Sequence, residues 1–515
     1  MDLSPSSHVD TFARDHLPPA DQWPELLLLD YPDRLNCAVE LLDLAQDLSA
    51  PCLISNGETW SYGDLLAHAN QIARVLTEDH GLVSGNRVLL RAPNNAWLVA
   101  CWFAVLKAGG VVVTTMPLLR DHELEVIDEI ASINLSLVDD RFACQLQPQV
   151  TFSELRKAAE SKPATFSNVD TAADDVALLA FTSGTTGRPK ATMHFHRDVL
   201  ANADTFSAQV LRPDATDVFA GSPPLGFTFG LGGLVVFPMR VGASSVLLEK
   251  GTPDILLPAL VEHNVTVLFT APTAYRAMLP LLPPEGLRLR RCVSAGEPLP
   301  RSTWDAWLAA TGIRLIDGIG ATELLHIFIS AADDDIRPGS TGKPVPGYVA
   351  TVLGDDGQPV PPGVIGRLAV KGPTGCRYLA DERQQVYVQD GWNLTGDTYA
   401  QDEDGYFWYQ ARSDDMIISA GFNIAPPEVE WALLKHPEVV ECAVVGQPDA
   451  ERTMVVAAYV VLAAGVTGDE GKAAELQEHC RREIAPYKMP RVVEFVAALP
   501  RTSTGKVQRY MLRNT

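Results

Sequence analysis

Phe181-Thr182-Ser183-Gly184-Thr185-Thr186-Gly187-Arg188-Pro189-Lys190 is the stretch on which the reading of this chain turns. It follows Ala177-Leu178-Leu179-Ala180-Phe181, an apolar run that reads as a buried strand. Four hydroxyls and two glycines then fall within residues 182–187, and Arg188 and Lys190 follow them. Glycine lets the main chain approach an anion closely, hydroxyls donate hydrogen bonds, and the cations offset phosphate charge. This is not a Walker A loop, because no Gly-x-x-x-x-Gly-Lys-Ser/Thr occurs in the chain. A phosphate-holding loop at the end of a buried strand points to a layered α/β fold.

The surrounding patterns agree. Arg87–Arg91 reads as a strand, and the apolar run Ala96–Leu106 as a core helix feeding the strand Val111–Thr114. At 11 residues that run is too short to span a bilayer. Asp198–Gln209 reads as a helix, Ser244–Leu248 as a strand, Asp254–Glu262 as a helix and Val265–Phe269 as a strand. Strands alternating with helices predict an α/β architecture with largely parallel sheets. Over residues 339–410, Gly/Pro/Asp turns such as Leu353-Gly354-Asp355-Asp356-Gly357 predict a small antiparallel or barrel-like unit. After Arg412-Ser413-Asp414-Asp415 the pattern resets to a compact α+β unit. It comprises strand Met416–Ser419, helix Pro427–Lys435, strands Val439–Val445 and Met454–Leu462, helix Gly471–Glu483 and strand Val492–Phe495. No low-complexity linker separates the two parts, so 1–413 and 414–515 are expected to meet at a tight hinge.

Composition narrows the function. The chain has 515 residues, 46% hydrophobic and 20% charged, with 41 Lys and Arg against 64 Asp and Glu, a net charge of −23. That balance argues against a nucleic-acid or anionic-membrane binder, yet permits a phosphate pocket built from a few local cations and backbone amides. The eight cysteines are scattered with no Cys-x-x-Cys, so no zinc site or redox pair is signalled, and they read as small buried hydrophobes. Met1-Asp2-Leu3-Ser4-Pro5 carries no secretory pattern, and a cytoplasmic protein is expected.

Four further loops carry polar chemistry. Asp317-Gly318-Ile319-Gly320-Ala321-Thr322-Glu323 alone is an ordinary turn candidate. In Leu394-Thr395-Gly396-Asp397-Thr398 the aspartate follows a glycine turn, where it can accept from paired hydroxyls or close an Asx turn. Tyr409-Gln410-Ala411-Arg412-Ser413-Asp414-Asp415 sits at the hinge, and Thr502-Ser503-Thr504-Gly505-Lys506 lies near the C-terminus. In this order the five loops resemble the adenylate-forming superfamily of acyl- and aryl-CoA synthetases, luciferases and peptide-synthetase adenylation domains, over essentially the whole chain. Gly318–Phe328, with Ile319 where most members carry Tyr and with His326, resembles the benzoate and 2-aminobenzoate CoA ligases. Val9–Arg14, Pro18-Pro19 and Gln22-Trp23-Pro24 resemble the 2-aminobenzoate ligases in particular.

The resemblance implies a two-step reaction. A carboxylate attacks the α-phosphorus of MgATP to give an acyl-adenylate and pyrophosphate, and the thiol of coenzyme A then displaces AMP. It implies that Thr182, Ser183, Gly184, Thr185, Thr186 and Lys190 hold the β- and γ-phosphates, that Thr322 bonds the α-phosphate, and that Glu323 holds Mg²⁺. The nucleoside would lie among Gly296, Glu297, Asp317, Gly318, Ile319, Gly320 and Tyr409, with Asp397 on the ribose hydroxyls and Arg412 nearby. Lys506 would bridge the substrate carboxylate and the α-phosphate. Asp414 would be the hinge about which the C-terminal domain swivels, withdrawing Lys506 and bringing the loop at Gly421 to a pantetheine tunnel. Phe227, Thr228, Phe229, Ala295, Gly320, His326 and Ile327 would surround the aryl ring.

Leu225-Gly226-Phe227-Thr228 lacks the aspartate with which α-amino acid-activating domains hold an ammonium. Thr228 stands where benzoate ligases tend to carry Ala, and its hydroxyl suits an ortho amino or hydroxyl substituent. Lys190-Ala191-Thr192 departs from the commoner Lys-Gly-Val, and Ala411 replaces a usual Gly. The expectation is an AMP-forming aryl-CoA ligase for 2-aminobenzoate, or next benzoate, acting as monomer or homodimer. The alternatives are a stand-alone aryl adenylation enzyme that loads a carrier protein, and an inactive nucleotide-binding regulator.

Overall fold

The computed structural model describes residues 3–182, 188–282, 285–412, 414–419, 422–449, 453–501 and 507–513. Strand Val176–Thr182 belongs to a six-stranded sheet ordered Gln149–Thr151, Leu135–Val138, Arg87–Arg91, Val111–Thr115, Val176–Thr182 and Lys190–Phe195. All its pairings are parallel except the last. The apolar run beside it is helix Ala96–Lys107, whose first turn is capped by Asn95 accepting from Leu98 N at 2.9 Å. The helix is buried on nearly every side, which explains why its sequence shows no polar stripe.

A second, nine-stranded sheet runs Lys343–Pro344, Ile327–Ser330, Leu315–Gly320, Arg291–Ala295, Val267–Thr270, Val218–Gly221, Ser244–Leu247, Pro51–Ser55 and Glu58–Ser61. Its centre, from Leu315–Gly320 to Pro51–Ser55, is parallel, and its edges are antiparallel. The expected helix over 198–209 is present as an α-helix, His196–Asn202, continued by a wider π-helical segment, Ala203–Leu211.

The unit over residues 349–412 is antiparallel, as expected, but among the described residues it is an open sheet and not a closed barrel. Closure is forestalled because strand Phe407–Arg412 spends its outer edge on the main body. Phe407 N donates to Gly342 O at 2.8 Å and Thr341 N to Phe407 O at 3.0 Å.

The C-terminal unit has its own core, with Ile417, Val429, Leu433, Val444, Val456 and Leu476 among its buried residues. Strands Phe422–Ile424, Ile417–Ser419, Thr453–Leu462, Val439–Asp449 and Val492–Phe495 form its sheet, faced by helices Pro426–Leu434 and Glu470–Glu483. It touches the main body where Arg276 Nη2 donates to Val439 O at 3.4 Å. All eight cysteines are free thiols, seven of them buried. No helix among the described residues is long and apolar enough to cross a membrane.

Candidate active site

The site starts from a pair of strands. Strands Val176–Thr182 and Lys190–Phe195 pair antiparallel with Thr182 opposite Lys190. Ser183, Gly184, Thr185 and Thr186 lie outside the described residues, as do Gly421 and Lys506. Lys190 opens the second strand, and its Nζ lies 3.0 Å from Glu323 Oε1. It also contacts the Tyr378 hydroxyl and sits 4.2 Å from the Tyr378 ring centroid.

Glu323 comes from the one-turn 3-10 helix Thr322–Leu324, which follows strand Leu315–Gly320. Burial pushes its carboxyl up, but Lys190 and a 2.5 Å hydrogen bond donated by the Tyr378 hydroxyl outweigh burial and hold it below the ordinary value. The carboxylate is therefore kept charged in a nearly closed setting, a hard-oxygen donor that fits Mg²⁺. Thr322 is fixed through its main chain: His194 Nε2 donates to Thr322 O at 2.8 Å. Burial, reinforced by Arg377, pushes the His194 imidazole down to about 3, so it is neutral. Behind it the fully buried ion pair of Arg377 and Asp198 anchors the support, with Asp198 also accepting from Phe195 N at 2.9 Å.

Tyr378, Arg377 and His194 escaped the sequence reading. Tyr378 and Arg377 reach the site because segment 376–380 lies along strand Lys190–Phe195, with Met193 N donating to Arg377 O at 2.7 Å and Leu379 N to Ala191 O at 2.9 Å. Nothing in the local spacing announces that long-range pairing.

The nucleoside candidates gather at neighbouring strand ends. Ala295 is registered against Gly318, and Gly296 beyond it has φ +90° with nothing within 4 Å of where a Cβ would stand, so it borders open space. Glu297 Oε2 accepts from Thr273 N at 3.4 Å. The enclosed Asp317 carboxyl is pushed up to about 7 by burial, and its Oδ1 has no hydrogen-bond partner among the described residues. Ile319 packs partly buried against the core, and a side chain at Gly320 would meet His326 O at 2.7 Å. On the third sheet Asp397 is registered against Arg412, whose Nη1 lies 3.4 Å from Asp397 Oδ1 and donates to Thr395 O at 3.3 Å. Tyr409 stands on the same strand, its ring 5.4 Å from that of Tyr399. Arg412 Nε is also 3.9 Å from Asp414, whose carbonyl accepts from Arg513 Nη2 at 2.8 Å, so Asp414 is tied from both sides.

Of the aryl candidates, Thr228 and Phe229 lie beside His326, and a side chain at Gly320 would meet its carbonyl. Phe227 immediately precedes helix Thr228–Leu231, which continues as a π-helical segment, Gly232–Val236. A small cavity of about 10 Å³, room for one water, is lined by Thr228, Gly232, Phe237, His326 and Asn202 among others. His326 is 3% exposed, and the rings of Phe206, Phe229, Phe237 and Phe269 lie 4.6–6.3 Å from it. Burial pushes its imidazole down to about 3, against weak opposition from the Phe229 backbone, so His326 brings a neutral polar ring and no positive charge. Ile327 is buried and fills the space over Gly318.

The chain is similar to known CoA ligases. Residues 43–378 match the family described as AMP-binding enzyme, and residues 428–506 match the AMP-binding enzyme C-terminal domain. Benzoate–CoA ligase of Thauera aromatica is 34% identical over 508 residues, covering 94% of this chain and 96% of that protein. 3-Hydroxybenzoate–CoA ligase of Aromatoleum sp. (strain CIB) is 31% identical, covering 93% and 96%. The crystal structure of the anthranilate CoA ligase AuaEII in complex with anthranoyl-AMP superposes with a TM-score of 0.89 at 34% identity, covering 94% of this chain and 98% of that one.

Proposed function

Since the chain belongs to the adenylate-forming family of AMP-binding enzymes, we propose that it is an AMP-forming aryl-CoA ligase that takes 2-aminobenzoate by preference and benzoate next. The observation that carries this reading is that one short segment, residues 320–327, serves two sites. Glu323, beside Thr322, joins the Lys190 and Tyr378 cluster, while His326 lies among the rings of Phe206, Phe229, Phe237 and Phe269.

The phenylalanine rings gathered round His326 suit a flat aryl ring. Thr228, which borders the cavity beside His326, is the residue assigned to an ortho amino group of the substrate. Asp317, with its unpartnered acceptor Oδ1, and the open space at Gly296 suit the exocyclic amine and face of a purine. Asp397 takes the ribose hydroxyls, and Lys190 with the hydroxyl-rich loop takes the β- and γ-phosphates.

Adenylation brings a carboxylate toward three phosphates, so catalysis is chiefly positioning and charge neutralisation. Mg²⁺, held by Glu323, supplies part of that neutralisation when bound. Lys506 contributes the remaining positive charge between the substrate carboxylate and the α-phosphate, and Asp414 is the hinge about which domain 414–515 turns relative to domain 1–413 for the coenzyme A step. A panel of aromatic acids scored for CoA-dependent AMP formation tests the reading. The highest kcat/KM is expected for 2-aminobenzoate, benzoate should rank next, and aliphatic acids should be poor. AMP formation on aliphatic acids alone, or transfer only to a carrier protein, would overturn it.

A further inference from the structure

We infer that Tyr378 is a positioning residue for the metal-binding carboxylate: it clamps one oxygen of Glu323 so that the other is presented to Mg²⁺, and it keeps that hold when Lys190 leaves for phosphate. The inference rests on reading Glu323 as the metal ligand.

Tyr378 is fully buried and immobilised from several directions. Its backbone pairs with strand Lys190–Phe195 at an isolated bridge to Thr192 and donates from N to Gln384 Oε1 at 2.9 Å. Its ring stands edge-on to Tyr387, 5.8 Å away. A phenol held this way aims its hydroxyl at a fixed point, and that point is Glu323 Oε1 at 2.5 Å. The Lys190 contact falls on the same oxygen, at 3.0 Å. Among the described residues no side-chain hydrogen bond is donated to Oε2, and the nearest approach of Lys190 is to Oε1. A carboxylate anchored through one oxygen cannot swing, so its second oxygen is pre-aimed.

The two contacts on Oε1 are not equivalent. Lys190 opens the strand that follows the phosphate-loop segment, and its ammonium cannot neutralise Glu323 and a phosphate at full strength together. Tyr378 carries no charge that a phosphate competes for. Once the nucleotide draws Lys190 away, the phenol hydroxyl is the contact that still fixes Glu323.

The test reads equilibrium nucleotide binding against Mg²⁺ concentration, with no turnover involved. In Tyr378→Phe, the Mg²⁺ concentration giving half-maximal binding of ATP is expected to rise about tenfold, the usual consequence of removing one hydrogen bond to a charged group. ATP binding in excess chelator and the thermal midpoint of the ligand-free protein should stay near wild type, which a general loss of packing would not allow. An unchanged Mg²⁺ dependence in folded Tyr378→Phe overturns the inference. Tyr378→Gln is made alongside: it retains a donor, so recovery of part of the shift supports the inference, and if Tyr378→Phe does not fold, Tyr378→Leu, which has no donor, takes its place, an unchanged Mg²⁺ dependence there overturning the inference. Glu323→Gln is measured in parallel. A shift there without one in Tyr378→Phe sinks the positioning role alone, whereas no shift in Glu323→Gln sinks the metal reading beneath it.

Discussion

Three histidines, His194, His196 and His326, are each pushed down to about 3 by burial. In the unfolded chain a histidine takes a proton near 6.5, so between about 6.5 and 3 the unfolded state binds more protons and stability is lost as pH falls. His8 and His68 are shifted in the same direction by burial. Asp317, pushed up to about 7, and Asp415, also raised by burial, act oppositely, because folded protein then holds the extra proton. Each group contributes at most about 1.4 kcal/mol per pH unit within its window. With histidines outnumbering raised carboxyls, the thermal midpoint should drop between pH 7.5 and pH 5.5, and His326→Asn should flatten that drop. A midpoint that rises on acidification over this range would show that the buried imidazoles do not govern it. At this scale the sequence was a partial guide. Glu323, Asp397 and Arg412 stand in motifs and were legible. Tyr378 and Arg377 owe their positions to a strand-like pairing with residues nearly two hundred positions away in the chain, which no local pattern encodes.

Elements were read best where burial is one-sided or complete over a clear run. Helix Ala96–Lys107 and strand Val492–Phe495 appear where the pattern placed them. Strand Lys190–Phe195 was missed because it is buried on both faces while carrying Thr192 and His194, so neither alternation nor an apolar run marks it. The barrel-like expectation failed for a related reason: turn chemistry announces short strands but not which edge meets which. The π-helical segments were also invisible in the sequence, yet two of them bring residues to His326. Ala203–Leu211 brings Phe206 to stack on His326, and Gly232–Val236 brings Gly232. The wider turn lets Gly232 pass so close to His326 that a Cβ there would meet Cδ2 at 2.3 Å and Nε2 at 2.8 Å. Gly232→Ala should therefore push the imidazole toward the ring site, raising KM for the aromatic acid on the order of tenfold with KM for ATP nearly unchanged. Equal changes in both constants, or none, would place Gly232 outside the aryl pocket.

Across the whole molecule, the proposed reaction is divided between two parts of the chain. The main body holds the Lys190, Glu323 and Tyr378 cluster and the rings round His326, and the C-terminal unit carries the tail with Lys506, with Arg412, Asp414 and Arg513 in contact between them. The reset of pattern after residue 412 marks the start of a unit with its own core. The two half-reactions of Lys506→Ala, measured separately, test this division of labour most directly. Pyrophosphate release from ATP with 2-aminobenzoate should fall by about 10²–10³, while conversion of supplied 2-aminobenzoyl-adenylate and coenzyme A to the thioester should proceed at close to the wild-type rate. Equal loss in both half-reactions, or full adenylation without this lysine, would contradict it.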